Sequence, residues 1–226
     1  MSVNITAFFM SVLSIVVIDL VLAGDNAIVI GMAARNLPTH LQKRTILWGT
    51  IAAIVVRTLL TFAVVWLLQI PLLRAIGGAI LIWIAYNLLG SQKEENHVKS
   101  TASLRGAIQT IVIADVVMGL DNVLAIAAAS HGSFLLVITG LLISVPIMVW
   151  GSTLILRFME RYPFIVYIGA AVLAWTAARM ITEEPMFAAL FDDNPVLRWG
   201  FIAAVVSGVM LLGLWKHRHN AAQSAG

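Results

Sequence analysis

The chain has 226 residues, 61% of them hydrophobic and only 11% charged, with a mean hydropathy of +0.97. Soluble domains run near about 45–50% apolar and about 25% charged, so a water-soluble fold of this length could not hide so much apolar surface, and a bilayer is the remaining solvent. The net charge of +3 does not point to nucleic acid, because Lys and Arg gather in a few loops as membrane topology requires, and the absence of cysteine excludes disulfides, thiolate metal sites and thiol redox chemistry.

No cleavable signal peptide is expected, since the N-terminal stretch lacks a basic region and runs straight into an apolar segment. Apolar spans of membrane-crossing length fall at 7–33, 46–69, 72–90, 107–129, 134–157, 163–181 and 197–215. The expected fold is therefore an all-α membrane protein with seven transmembrane helices. The longest polar connections are 91–105 and 182–195, and the tail 216–226 reads as disordered. With the N-terminus outside, Arg35, Lys43, Arg44, Lys93, Lys99, Arg105, Arg157, Arg161, Lys216 and Arg218 face the cytoplasm, and only Arg74, Arg179 and Arg198 fall outside. Ten against three predicts N-out, C-in, in a bacterial inner (plasma) membrane. The outward loop carrying Glu183, Glu184, Asp192 and Asp193 reads as an ordinary solvated loop rather than a collector of cations. Trp48, Trp66, Trp150, Trp199 and Trp215 read as interface anchors. Asn87 and Arg179, at equivalent places near span ends, read as groups that reach the interface.

An internal repeat organises the spans. Asp19-Leu-Val-Leu-Ala-Gly-Asp25-Asn26 recurs as Asp115-Val-Val-Met-Gly-Leu-Asp121-Asn122, 96 residues later. The third and sixth spans align as well, Ile76-Gly-Gly-Ala-Ile-Leu-Ile-Trp83-Ile-Ala with Ile168-Gly-Ala-Ala-Val-Leu-Ala-Trp175-Thr-Ala. The unit holds three spans, and an odd number turns the second copy upside down. The expected organisation is a first three-helix repeat at 1–90, a cytoplasmic linker at 91–106, an inverted second repeat at 107–181, and at 182–226 an outward loop, a seventh helix and a cytoplasmic tail. Inverted repeats are a mark of secondary transporters, whose substrate site lies near the midplane between the copies. The seventh helix stands outside the repeat and reads as a packing or assembly element, which leaves room for a homo-oligomer.

Asp19, Asp25, Asp115 and Asp121 lie inside apolar spans with no basic neighbour in sequence. Each charge at a helix centre costs at least about 2.5–3.5 kcal/mol, too much for packing alone. In a continuous helix Asp19 shares a face with Asn26, whereas Asp25 points about 120° away and about 9 Å along the axis. A local break would bring both carboxylates to one ion, and Gly24 and Gly119 stand where it would fall; close helix packing is the competing role for these glycines. Such a break also frees backbone carbonyls as ligands. All five histidines (His40, His97, His131, His217 and His219) fall in loops or the tail. The motifs therefore offer oxygen ligands, which suit Mg2+, Ca2+ and Mn2+ better than Zn2+ or Cu+. Met118 reads as apolar packing before it reads as a soft ligand. Four ionised carboxylates around one divalent ion would be over-charged in a low dielectric, so one or more should carry a proton, and exchange of metal for protons follows as a coupling scheme. Arg57 is the other buried charge, either a counter-ion for an empty site or one half of a static ion pair.

At these two motifs the sequence resembles the TerC family of integral membrane proteins, particularly its short YjbE-like bacterial members, within the LysE-like exporter superfamily. The resemblance extends over essentially the whole membrane region. It implies export of a divalent metal, most of all Mn2+, with Ca2+ an alternative, no organic cofactor, and Asp19, Asp25, Asn26, Asp115, Asp121 and Asn122 as the metal ligands. Two competing readings are a LysE-type exporter of a small cationic metabolite and a non-transporting membrane metal sensor or partner protein. An enzyme is not expected, because the Tyr-Asp and Gly-x-Gly-Asp signatures of intramembrane aspartyl proteases are missing.

Overall fold

A computed structural model describes residues 5–22, 24–67, 70–90, 103–130 and 132–223. Most of the 91–106 linker, with Lys93, His97 and Lys99, lies outside the described residues, as do His131 and the side chains of Asp121, Lys216, His217, Arg218 and His219. The regular structure among the described residues is all helical, in nine segments: α1 (Ile5–Leu22), α2 (Gly24–Arg35), α3 (Thr39–Leu67), α4 (Leu73–Gly90), α5 (Leu104–Ala129), α6 (Phe134–Arg161), α7 (Ile165–Thr182), α8 (Pro185–Asp192) and α9 (Pro195–Gln223). Several helix starts have a local cause. Ser103 caps α5 by accepting a hydrogen bond from the amide of Gly106 at 3.0 Å, and Asn194 does the same for α9 with Leu197 at 3.3 Å. Proline occupies the first position of α8 and α9, where its missing N–H costs nothing.

Four of these helices, α3, α6, α7 and α9, are long and apolar enough to cross a membrane. Two further spans arise if bent pairs each count as one: α1 with α2, bent by 52°, and the two parts of α5, Leu104–Leu120 and Asn122–Ala129, bent by 64°. The chain is thus a multi-pass membrane protein with four to six candidate spans among the described residues, plus the shorter apolar helix Leu73–Leu89. The first span, read from sequence as one stretch at 7–33, is broken in its middle.

The two halves of the chain interlock rather than pack separately. α5 packs most extensively on α3, α4 on α7, and α1 and α2 on α6. Glycines allow the close approaches. A Cβ on Gly49 would overlap Ile111 at 2.6 Å, and one on Gly140 would overlap Ile15 at 2.4 Å. Ile15 and Ile111 are 96 residues apart, the same offset as the aspartate motifs, so each half presses an equivalent isoleucine on a glycine of the other. At the α4–α7 crossing a Cβ on Gly78 would stand 2.6 Å from the carbonyl oxygen of Ala177. α9 lies against α4 and α7, and Trp48, Trp66, Trp150, Trp199 and Trp215 are all exposed.

Two expectations need correcting. The segment 182–195 is not merely a solvated loop, because it contains α8 and buries Glu184. The Glu184 carboxylate accepts hydrogen bonds from the amides of Leu72 and Arg74, both at 3.1 Å, and so caps the start of α4, where Leu72 adopts φ +61. Glu183 pairs with Arg179 and Arg198, at 2.8 and 3.0 Å, and its carbonyl accepts from Arg74 at 3.1 Å. Arg179 is therefore tied to its own helix end rather than simply reaching the interface. Asp192 and Asp193 are exposed. The tail is also more ordered than its composition suggested, since α9 continues to Gln223.

Replacing Glu184 by Ala orphans two amides at a half-buried helix start and should cost about 1–3 kcal/mol, read as a lower melting temperature of the detergent-solubilised protein. Gly78→Ala should lower the melting temperature similarly, since overpacking costs about 1–3 kcal/mol. Gly151→Ala, with nothing within 4 Å of the new methyl, should leave it unchanged or raise it.

Candidate metal site

The break between α1 and α2 places the parts of the first motif on two helices. Asp19 sits in the last turn of α1, where the negative end of the helix dipole disfavours a carboxylate. Asp25 and Asn26 sit in the first turn of α2, where the positive end favours one. The Asp25 carboxylate accepts from the amide of Asn26 at 3.0 Å and lies near enough to Thr176 on α7 and to Arg57 for both to act on its charge. Gly24 opens α2 with nothing within 4 Å of the place a Cβ would occupy, so packing does not demand it there. In the second copy Asp115 and Asn122 flank the bend of α5, and both are buried.

Asp19 and Asp115, the first aspartates of the two motifs, meet at one guanidinium. Arg57 on α3 donates through Nη1 to Asp19 and through Nη2 to Asp115, with a further bond from Nε to Asp115 at 3.3 Å. The Asp115 pairing is the two-pronged geometry that guanidinium and carboxylate favour. All three side chains are withdrawn from solvent, Arg57 to 1% exposure, Asp19 to 0% and Asp115 to 4%. Gly119 lies alongside, its hypothetical Cβ 3.7 Å from Arg57 Nε, so it flanks the guanidinium. Among the described residues one Asp19 oxygen, Oδ2, has no partner, nor do the side-chain oxygen and nitrogen of buried Asn26. Buried polar atoms are rarely left so, and the two oxygens among them are donors of the kind a hard cation takes.

The structure thus brings together Asp19, Asp115 and Arg57, with Asp25 near enough to feel Arg57. With Arg57 standing between the two aspartates, the described residues contain no group of three or more acidic, His or Cys side chains arranged around a metal position; the Asp121 side chain is outside that set. Met118 is buried in an apolar cluster with Val117, Leu120 and Leu173, as packing requires. Thr176 was not singled out from sequence. It replaces Ile84 in the alignment of the third and sixth spans, and a polar residue at that one point was the available signal.

A model of the family described as "Integral membrane protein TerC family" matches residues 5–221. The chain is 48% identical over 177 residues to a Bacillus subtilis (strain 168) protein named uncharacterized membrane protein YjbE, covering 78% of this chain and 81% of that one. It is 24% identical over 189 residues to the inner membrane protein YgdQ of Escherichia coli (strain K12), covering 76% and 79%. Over 180 residues it is 23% identical to YkoY of Bacillus subtilis, covering 71% of this chain and 56% of that one. No solved structure matches the chain.

Removing Arg57 strands two buried carboxylates, whereas removing one carboxylate leaves the other still paired. Arg57→Gln should therefore destabilise the metal-free protein by about 3–5 kcal/mol, and Asp19→Asn by clearly less. Thermal unfolding of both variants in chelator-treated detergent solution checks the order.

Proposed function

The chain belongs to the TerC family of integral membrane proteins, and on that premise we propose that it is a secondary transporter that exports a divalent metal ion, foremost Mn2+. The observation that carries this reading is the convergence of the two motifs. Asp19 and Asp115 come from segments 96 residues apart and reach the same guanidinium, beside helices bent within the membrane-spanning stretch. Bent or broken helices that turn their ends toward a central site are the usual way transporters bind ions. The ligand set in this proposal is Asp19, Asp25, Asn26, Asp115, Asp121 and Asn122, which offers oxygen ligation suited to Mn2+ or Ca2+.

Two inverted three-helix repeats and seven spans, counting α4 as the third, are part of the same proposal. Supporting it, α1 and α2 pack on α6 much as α5 packs on α3, while α4 and α7 pack on each other; exchanging the halves maps this pattern on itself. The orientation N-out, C-in rests on the distribution of basic residues. A bacterial inner membrane location is supported by the name of YgdQ as an inner membrane protein. Proton exchange is the proposed coupling, because an over-charged carboxylate cluster that loses its metal takes up protons. Export of a cationic metabolite is less well supported, since Arg57, the cation a substrate carboxylate would need, is already held by two aspartates.

Purified protein in proteoliposomes should show saturable Mn2+ flux, lost in Asp25→Ala and in Asp121→Ala and inhibited by Ca2+. Binding of Mn2+ without flux in any preparation, beside a working exporter, would replace transport with a sensor or structural role.

A further inference from the structure

We propose that Arg57 is a built-in counter-ion that occupies the metal site of the empty carrier, and that a divalent ion binds by displacing its guanidinium from Asp19 and Asp115. The inference rests on the transport reading and assigns a role to a side chain outside the ligand set. Three features carry it. The guanidinium is fully buried and spends three donors on the first aspartate of each motif, so it stands between the groups a shared ion would bridge. Asp19 Oδ2 and, on α2, both polar atoms of Asn26 lack partners among the described residues; the guanidinium satisfies only part of the proposed ligand set.

The third feature is an asymmetry. The equivalent contacts of Gly49 with Ile111 and Gly140 with Ile15 align the second and fifth spans. Arg57 and Met148 each lie eight residues beyond their glycine, so the second half carries a buried, uncharged Met148 where the first carries Arg57. Packing at this position can therefore be met by an apolar side chain, and the charge serves the aspartates.

The mechanism follows from charge. A guanidinium and a divalent cation repel each other strongly in a low dielectric, so they cannot share the carboxylates. Without either cation, Asp19 and Asp115 would have to take up protons beyond those the rest of the cluster binds, or face each other unneutralised, and the closed form needed for the return of an empty carrier would be costly. Arg57 supplies that charge internally. It makes net transport possible and lowers the apparent affinity for metal by the fraction of time it holds the site.

The test compares wild type, Arg57→Met and Arg57→Lys in three assays: Mn2+ binding to purified protein, net Mn2+ flux into metal-free proteoliposomes, and exchange of radioactive Mn2+ against Mn2+ at equal concentrations. Arg57→Met should bind Mn2+ about tenfold tighter, lose about tenfold or more of net flux and keep about half or more of the exchange rate. Arg57→Lys retains the charge with fewer donors; it should keep net flux within about threefold and bind Mn2+ tighter than wild type. Net flux and exchange falling together in Arg57→Met, with Mn2+ affinity unchanged or weaker, overturns the proposal, as does wild-type net flux in that variant. Should Arg57→Met fail to fold, Arg57→Lys decides alone, and affinity no higher than wild type overturns displacement. Wild type that binds Mn2+ but moves none in either assay sinks the transport reading, while the affinities of the variants still decide whether Arg57 and metal compete.

Discussion

Ionised carboxylates in a hydrocarbon environment are costly unless a cation stands against them, and Arg57 is the cation that Asp19 and Asp115 share. The arrangement of three helices depends on that pairing. α1 must place its last turn, α5 its centre and α3 its Arg57 at one point. Such a buried cluster is weak evidence of stability, since desolvation can offset the attraction. What it supplies is register: a helix that slid or rotated would leave a buried charge unpaired.

The helix breaks serve the same point. Ending α1 just after Asp19 and starting α2 at Gly24 puts two carboxylates near opposite helix termini. The terminus of α2 favours Asp25, whereas that of α1 disfavours Asp19 and makes it the one in need of Arg57. Glycine contacts at Gly49, Gly78 and Gly140 draw the backbones together, the usual means by which helices associate in lipid, where no hydrophobic effect separates them from their solvent. Two apolar clusters result, one built on α4 and α7, the other on α1, α3 and α6, with α2 and α5 contributing to both.

At the end of the molecule where α4 starts and α7 stops, Glu183 and Glu184 bind α4, α7 and α9 into one corner. Each of these carboxylates meets a donor that a helix terminus or an arginine would otherwise leave unmet. This corner joins the α4–α7 pair to the last helix.

Much of this protein was legible from its residues. Hydropathy and the rarity of charge are local properties, so the membrane class followed from composition, and the aspartates and Arg57 stood out because each is expensive where it lies. The motif repeat required only comparing the chain with itself. Which groups meet was a matter for the tertiary structure. Arg57 lies 38 residues from Asp19 and 58 from Asp115, and helical periodicity gives the face of each helix without giving its rotation or tilt against the others. For that reason the sequence left Arg57 with two roles and Glu184 in a loop, and did not single out Thr176 beside Asp25. Packing decided which partners these groups reach, because the energy of a buried polar group depends on the partner it meets across helices rather than on its neighbours in the chain.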